Sequence, residues 1–499
     1  MALQVDWRAS VSLVGVILQW LALPLAAPLA LAVMDGTTVL PFLTTVVATL
    51  VAGTAARHLA VEPELYPREA FLMVALTWLA VAVVAAIPFV VAASGVFTSP
   101  VNAVFESMSG ITTTGATVVV DFGAHSRALM LWRQLIQWLG GLGILVLATA
   151  VLSELSVGGA QLMETESQLE SVTKLTPKIS DTAQLLWTLY IGITAVAIGV
   201  LYALGLAGLA PEMTLFDAIA HALTSVSTSG FSPRADSIGA FAPVVQWVLV
   251  PFMILGATSF VLIYAALRGN VQRVRRSEEL RFYLFVLASL SAVMFGLLWV
   301  SVDSLTSIEE TARHAVFQIT SLVTTTGYAS VDFELWSAPA KQVLLVCMFL
   351  GGMAGSTTCS IKMVRWLVIT KAFRRDLFVA IRPESIRPVR LSGNVVEEET
   401  IRDIYAYTLV SLIFFVLGSV FIVVNSARVG HPVTELEALG TSASTFFNIG
   451  PAFGQAGPFG TYETFPRTSK LFMTLLMWVG RIEIIPVLVM LRASFWRQP

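Results

Sequence analysis

The sequence predicts an all-α polytopic membrane protein. Four similar units, each a span, a short pore helix, a filter turn and a second span, surround one pseudo-four-fold pore, with two further spans at the N-terminus. Three observations predict it: apolar stretches recur along the whole chain, charge is scarce, and a short hydroxyl-rich pattern ending in glycine occurs four times between spans. Of the 499 residues, 56% are hydrophobic and 12% charged, about half the ~25% charged residues of a typical soluble domain, and the mean hydropathy is +0.80. So little charge cannot cover a water-facing surface. Thirty Lys and Arg against 32 Asp and Glu leave a net charge of −2, so no basic excess exists to neutralise phosphates and a nucleic-acid partner is excluded. The two cysteines, Cys347 and Cys359, lie in apolar or membrane-adjacent sequence and are not expected to form a disulfide.

A hydrocarbon core needs ~20 apolar residues per helix. About ten windows meet this: 11–34, 38–60, 70–94, 128–152, 183–208, 241–267, 281–302, 336–371, 402–425 and 469–491. The first reads as a span rather than a signal peptide, because its apolar run exceeds the ~7–15 residues of a signal core. Lys and Arg concentrate in loops kept on the cytoplasmic side. Residues 268–281 carry Arg268, Arg273, Arg275, Arg276 and Arg281, and 362–402 carry nine more basic residues. Those loops are placed inside, and an even number of spans then puts both termini inside.

The repeated pattern reads SGITTTGAT (109–117), TSVSTSGFS (224–232), SLVTTTGYAS (321–330) and STFFNIGPAFG (444–454). It ends on Gly115, Gly230, Gly327 and Gly450, and six residues before each stands a hydroxyl: Ser109, Thr224, Ser321 and Ser444. The glycines are 115, 97 and 123 residues apart, room for two spans and a loop each time, so four homologous units are implied. Before each turn lies a half-apolar segment too short to cross the core, at 99–111, 212–226, 307–323 and 432–447. Non-helical backbone survives at membrane depth only where it is buried in protein or lines a wet cavity, so four re-entrant segments suggest one pore.

The turn chemistry suits a monovalent cation. Carbonyl oxygens aimed at an axis can replace its hydration shell, glycine permits the backbone angles that turn a carbonyl inward, and inward-running helices aim their negative C-terminal ends at it. A Gly/Ser/Thr cluster midway along the window 336–371 argues for a broken helix or for close packing through small residues. Arg481 lies within a span, where a guanidinium costs at least ~2.5–3.5 kcal/mol and needs a partner or a wet cavity. Glu483 is near in sequence, but residues two apart on a helix do not face each other. Gly140, Gly141 and Gly143 read as a close helix contact rather than a phosphate loop. Glu106 and His221, each nine residues before a filter glycine, read as braces of the pore helix, with binding or relay of a proton as the alternative.

These residues resemble the Trk/Ktr/HKT superfamily of potassium transporters, in particular the TrkH-type membrane subunit of bacterial Trk systems. Beyond the filters, the match includes LWRQLIQWLGGLGILVLA (131–148), GGMAGSTTCSIKMVR (351–365) and WVGRIEIIPVLVM (478–490), and it covers residues 70 to 499. The resemblance implies potassium as the substrate, ion-binding filter residues Thr113, Thr114 and Gly115; Thr228, Ser229 and Gly230; Thr325, Thr326 and Gly327; and Asn448, Ile449 and Gly450. The fourth unit departs from the hydroxyl pattern at Phe447, Asn448 and Ile449. It also implies an intramembrane gate at Gly351, Gly352, Ala354, Gly355, Ser356 and Thr357, with Arg481 beneath the filter as a barrier to cations. Thr358, Cys359 and Ser360 stand where the family usually has more glycine. Further implications are a homodimer in the bacterial cytoplasmic membrane, a cytoplasmic nucleotide-binding regulatory subunit of TrkA type, and no covalently bound cofactor or nucleotide within the chain itself. The corresponding division is an N-terminal two-span domain (1–68) and repeats at 69–155, 156–270, 271–395 and 396–499.

A membrane enzyme is the alternative from another class, but no metal-ligand cluster, nucleophile motif or Walker sequence supports it. A less selective or sodium-preferring pathway is the other alternative. In the plant branch of the superfamily that behaviour accompanies serine at the first filter glycine, and Gly115 argues against it.

Overall fold

The computed structural model describes residues 5–60, 66–150, 179–301 and 307–496. The expected boundary between the first two repeats, at 155/156, lies outside them. The chain begins with α1 (Trp7–Leu21), α2 (Ala26–Met34) and α3 (Leu40–Arg57). Asp6 starts α1 by accepting the N–H groups of Arg8 and Ala9, the satisfaction an N-cap provides. Then α1 meets α3 through glycine: a Cβ on Gly15 would lie 2.6 Å from the Gly53 carbonyl.

Four stretches of similar order follow. The first is α4 (Pro67–Ala85), α5 (Ile87–Ala92), the short α6 (Pro100–Ile111) and α7 (Arg127–Ala150). The second is α8 (Ile179–Leu206), the short α9 (Leu215–Val226), α10 (Pro243–Gly256), α11 (Phe260–Leu267) and the surface turn α12 (Val271–Arg276). The third is α13 (Glu278–Ser301), α14 (Ile308–Val323), α15 (Ala338–Cys347) and α16 (Met363–Ile381), followed by a two-residue antiparallel pair, Arg390–Leu391 with Asn394–Val395. The fourth is α17 (Glu398–Arg428), α18 (Glu435–Phe446), α19 (Arg467–Arg481), α20 (Ile485–Met490) and the terminal turn α21 (Ala493–Trp496).

The short helices α6, α9, α14 and α18 run 12, 12, 16 and 12 residues. Their starts are written in the sequence: Thr214, Ser307 and Thr434 cap three of them through the side chain, and Ser99-Pro100 opens the other. Their last turns are buried throughout. The largest apolar cluster runs through Val81, Phe105, Ile319, Phe446 and Met477, and a second holds Ala218, Ala222 and Val226 of α9, so these helices lie inside the protein rather than on its rim.

Helices long and apolar enough to cross a membrane number six among the described residues, or seven if α10 and α11 make one crossing, which marks an integral membrane protein. Ten were expected, and at three of the windows the difference has a physical origin. The expected continuous span 241–267 bends by 103° between α10 and α11. The window 469–491 stops as α19 at Arg481 and resumes as α20, with Glu483 and Ile484 at positive φ between them. The window 336–371 holds only α15 and the start of α16, with residues 348–362 outside any helix. The expected span 128–152 begins as α7 and runs to the edge of the described segment.

In three of the four stretches the helix after the turn approaches the short helix through glycine. A Cβ on Gly140 would lie 1.9 Å from the Ile111 carbonyl, one on Gly256 2.7 Å from the Val226 carbonyl, and one on Gly480 1.7 Å from the Phe446 carbonyl. Those carbonyls end α6, α9 and α18. Gly140→Ala is therefore expected to lower thermal stability by roughly the 1–3 kcal/mol of an overpacked core. Gly143→Ala, whose Cβ would sit 3.8 Å from Trp78, should leave the unfolding temperature of the purified protein nearly unchanged.

Candidate ion pathway

After each short helix the chain makes the same turn. The residue two before the glycine has positive φ in all four: Thr113 (57°), Thr228 (50°), Thr325 (52°) and Asn448 (56°). The glycines follow at 82°, 71°, 77° and 110°, and the residue between stays at negative φ. A β-branched residue with positive φ is a backbone outlier, and such strain persists only where the surroundings over-determine it. The determinant here is the residue six before the glycine. The Ser109 carbonyl takes the N–H of Thr114 at 2.9 Å, the Thr224 carbonyl that of Ser229 at 3.0 Å, the Ser321 carbonyl that of Thr326 at 2.8 Å and the Ser444 carbonyl that of Ile449 at 2.9 Å. In the first three loops a second brace joins alternate hydroxyls: Thr112 to Thr114 at 2.7 Å, Ser227 to Ser229 at 2.6 Å and Thr324 to Thr326 at 2.7 Å.

The four loops meet in a closed ring. A Cβ on Gly115 would lie 2.4 Å from the Ser229 carbonyl, on Gly230 1.9 Å from that of Thr326, on Gly327 1.9 Å from that of Ile449, and on Gly450 2.9 Å from that of Thr114. The twelve residues Thr113, Thr114, Gly115, Thr228, Ser229, Gly230, Thr325, Thr326, Gly327, Asn448, Ile449 and Gly450 are thus brought together. The fourth loop is the unequal one. Phe447 and Ile449 have no hydroxyls to pair, and Asn448 instead donates to Thr114 Oγ1 at 2.8 Å and to the Met477 carbonyl at 2.9 Å. The Gly450 carbonyl accepts from Ser444 Oγ at 2.6 Å and Tyr462 OH at 2.7 Å, whereas Thr224 and Ser321 serve the residue after their glycine.

Behind the ring, Glu106 takes the Thr117 hydroxyl and the Val118 N–H, and pairs with Arg133 at 2.7 Å. His221 bonds the Asp217 carbonyl and Ser232 Oγ, and Gln318 donates to Ser330 Oγ at 3.2 Å. All three stand nine residues before their glycine and tie the short helix to the segment that follows the turn. Gln318 escaped the sequence reading, although the same spacing marks it.

Beneath the ring lies the loop 348–362. Thr357 Oγ1 is 2.9 Å from Thr228 Oγ1, and the Cys359 N–H donates to Thr325 Oγ1 at 3.1 Å, so Thr357 and Cys359 touch the lowest residues of the second and third turns. The loop also fills the break between α10 and α11: the Gly256 carbonyl accepts the Thr357 N–H, the Ala257 carbonyl accepts the Met353 N–H, and the Gly355 carbonyl accepts the Phe260 N–H. Gly351 and Gly352 are pressed against backbone and Thr358, Gly355 turns at φ +73°, and Ser356 bonds the Met353 carbonyl and Thr358 Oγ1.

Arg481 is fully buried in the same place. It donates to the Thr357 carbonyl at 3.1 Å, to Cys359 Sγ at 2.7 Å and to the Gly140 carbonyl at 3.0 Å. Glu483 is not its partner: that carboxylate pairs with Arg365 at 2.6 Å. Both cysteines are free.

The comparisons fit this arrangement. A family model described as TrkH, cation transport protein, matches residues 40–498. The chain belongs to the TrkH family of cation transport proteins. Family members similar to it include the Trk system potassium uptake protein TrkH of Halomonas elongata, 34% identical with 87% of each chain covered. Another is the protein of that name from Vibrio parahaemolyticus, 32% identical with 99% of this chain and all of that one covered. A crystal structure titled the potassium transporter TrkH from Vibrio parahaemolyticus superposes with a TM-score of 0.88 at 29% identity, covering 99% of this chain and 100% of that one. The family is one of cation transport proteins, so the protein is a transporter and not an enzyme.

Two residues that hold the loop 348–362 were hidden in the sequence. Lys362, counted there among the cytoplasmic basic residues, bends back so that its ammonium bonds the Thr358 carbonyl and hydroxyl. Glu279 is 1% exposed at the start of α13, and its Oε1 accepts the N–H of Ala354 at 2.8 Å and of Val364 at 3.1 Å, clasping both ends of the loop. In sequence it is the second of two acids beside a run of arginines. Glu279→Ala should strand two buried donors at about 1–3 kcal/mol each and loosen the loop, seen as a higher unstimulated cation flux in vesicles. Glu279→Gln, which keeps the accepting oxygen, should lie closer to the parent. Unchanged flux from a normally inserted alanine variant would leave Glu279 a purely structural clasp.

Proposed function

We propose that this chain carries potassium into the cell across the cytoplasmic membrane, through a selectivity filter made by its four turns, with the loop 348–362 and Arg481 as the gate. What supports the filter most directly is the shared backbone signature, positive φ at two alternate residues in each of four turns that close into a ring. Alternating φ lets successive carbonyls face one side, where they can replace the water lost by the ion. The C-terminal ends of α6, α9, α14 and α18 abut these turns, and their partial negative charge favours a cation. The potassium uptake assigned by name to the relatives is consistent with this chemistry, and the reading takes the four stretches as repeats of one unit around a pseudo-four-fold axis.

The gate is supported by position. Thr357 and Cys359 bond the inner residues of two turns while holding Arg481 in place. A guanidinium there opposes a cation both sterically and by charge: at ~4 Å and an effective dielectric of ~20, like unit charges repel by about 4 kcal/mol. The proposal extends to a homodimer and to a cytoplasmic nucleotide-binding regulatory subunit of TrkA type, with both termini on that side. Exposed Arg275, Arg276 and Arg281 offer it a docking patch, and Glu279, on α13 with Arg281, leads from there to the loop. The second reading, a less selective or sodium-preferring pathway, has the irregular fourth turn in its favour.

One assay separates the two: rubidium uptake into sealed vesicles with sodium as competitor. Gly115→Ser should lower discrimination against sodium, because its Cβ would press on the Ser229 carbonyl and add a hydroxyl at the ring. Unchanged selectivity would refute the assignment of these turns as a filter. In the same vesicles Arg481→Ala should raise flux several-fold, since cavity water screens much of the repulsion, while ion preference stays as it is. Reduced flux from normally inserted protein would make Arg481 a structural strut.

A further inference from the structure

One buried amide makes three hydrogen bonds to the turn of a different unit. Gln137 lies on α7 with no exposed surface. Its Nε2 donates to the Ser229 carbonyl at 2.7 Å, and its Oε1 accepts the Ser229 hydroxyl at 2.9 Å and the Phe231 N–H at 3.0 Å. The carbonyl it holds is the one that Gly115 of the first turn abuts. One helical turn earlier, Arg133 donates to the Ser232 carbonyl at 3.1 Å while paired with Glu106. Together they make α7 a splint along residues 229–232. The corresponding carbonyls of Thr114, Thr326 and Ile449 accept no side-chain donor among the described residues. The same place on α10 and α19, three residues before Gly256 and Gly480, holds Met253 and Met477, which have no amide to offer.

We propose that Gln137 is a positioning residue for cation selection: by donating to the Ser229 carbonyl and accepting two donors from the same turn, it sets the direction of that carbonyl in the ring. This rests on reading the four turns as the filter. A carbonyl has two lone pairs, so one held by Gln137 leaves the other for an ion. Selection between cations depends on the number and field strength of the dipoles that meet the ion, and a dipole fixed at one position out of four changes both its strength and its freedom to follow a smaller ion. Only a group that is donor and acceptor together makes all three bonds. An apolar residue makes none, and a carboxylate loses the donor and sets a negative oxygen against the carbonyl. A neutral carboxylic acid regains one donor and keeps an acceptor.

The test uses the full chain in sealed vesicles, with rubidium uptake measured against sodium competition for Gln137→Leu, Gln137→Glu and Gly115→Ser. Gln137→Leu is expected to lower the rubidium-over-sodium ratio about tenfold, the discrimination that one or two lost hydrogen bonds account for, while uptake persists. Gln137→Glu should discriminate poorly at high pH and recover as the pH falls and its acid gains the proton that Gln137 supplies as N–H. The parent should show no such recovery, which a role in packing alone would not produce. If Gly115→Ser lowers the ratio but Gln137→Leu does not, Gln137 only fills space and the proposal fails. If neither changes it, the filter assignment itself fails. Should the leucine variant not insert, the glutamate profile decides, and a profile parallel to the parent's overturns the proposal.

Discussion

Four stretches of backbone leave the helical path in the interior of an apolar protein, and what holds each of them is the carbonyl six residues before its glycine. Lipid offers no hydrogen-bond partner, so a released N–H that does not face a wet cavity has to find one within the chain. Ser109, Thr224, Ser321 and Ser444 supply it through main-chain oxygens that the end of a helix leaves free anyway. The unfilled end of the helix and the unpaired start of the turn therefore solve each other's problem. This reciprocity allows threonine to sit at positive φ in three turns, and it keeps the ends of the short helices close to the ring, where their dipoles act.

The same accounting governs the broken helices. Breaking the chain between α10 and α11 frees the carbonyls of Gly256 and Ala257 and the N–H of Phe260, and the loop 348–362 satisfies all three while it satisfies its own backbone. The loop thus has a seat built from a neighbouring stretch. Arg481 fits into the remaining space because it finds two backbone carbonyls and a thiol sulfur rather than a carboxylate. A guanidinium held by neutral acceptors keeps its full charge, whereas one paired with Glu483 would present almost none to an approaching ion.

Spacing carried most of what was legible in the sequence. The six-residue interval from hydroxyl to glycine located the turns, the nine-residue interval marked Glu106 and His221, and segments of sub-span length located the short helices, because all of these are local consequences of one repeated geometry. The rest depends on partners far away along the chain. Ala257-Thr258-Ser259 contains nothing that forbids a helix, and only the loop of residues 348–362 makes a break there favourable, so the window 241–267 read as one span. Lys362 looked like part of a solvated basic run until the fold placed Thr358 within its reach. Glu279 resembled an ordinary first-turn acid, and its bonds run to residues 75 and 85 positions away.

The turns are similar but not interchangeable, and they belong to a single polypeptide. A ring of identical subunits has to accept each substitution four times over: four guanidiniums would confront one another across the axis, and four long loops would compete for one space. A continuous chain escapes this stoichiometry. It can keep Arg481, the loop 348–362, Gln137 and the tyrosine over Gly450 each at a single corner. Such a chain can trade rotational symmetry for a division of labour among its corners, so that the corner that opens need not be the corner that chooses.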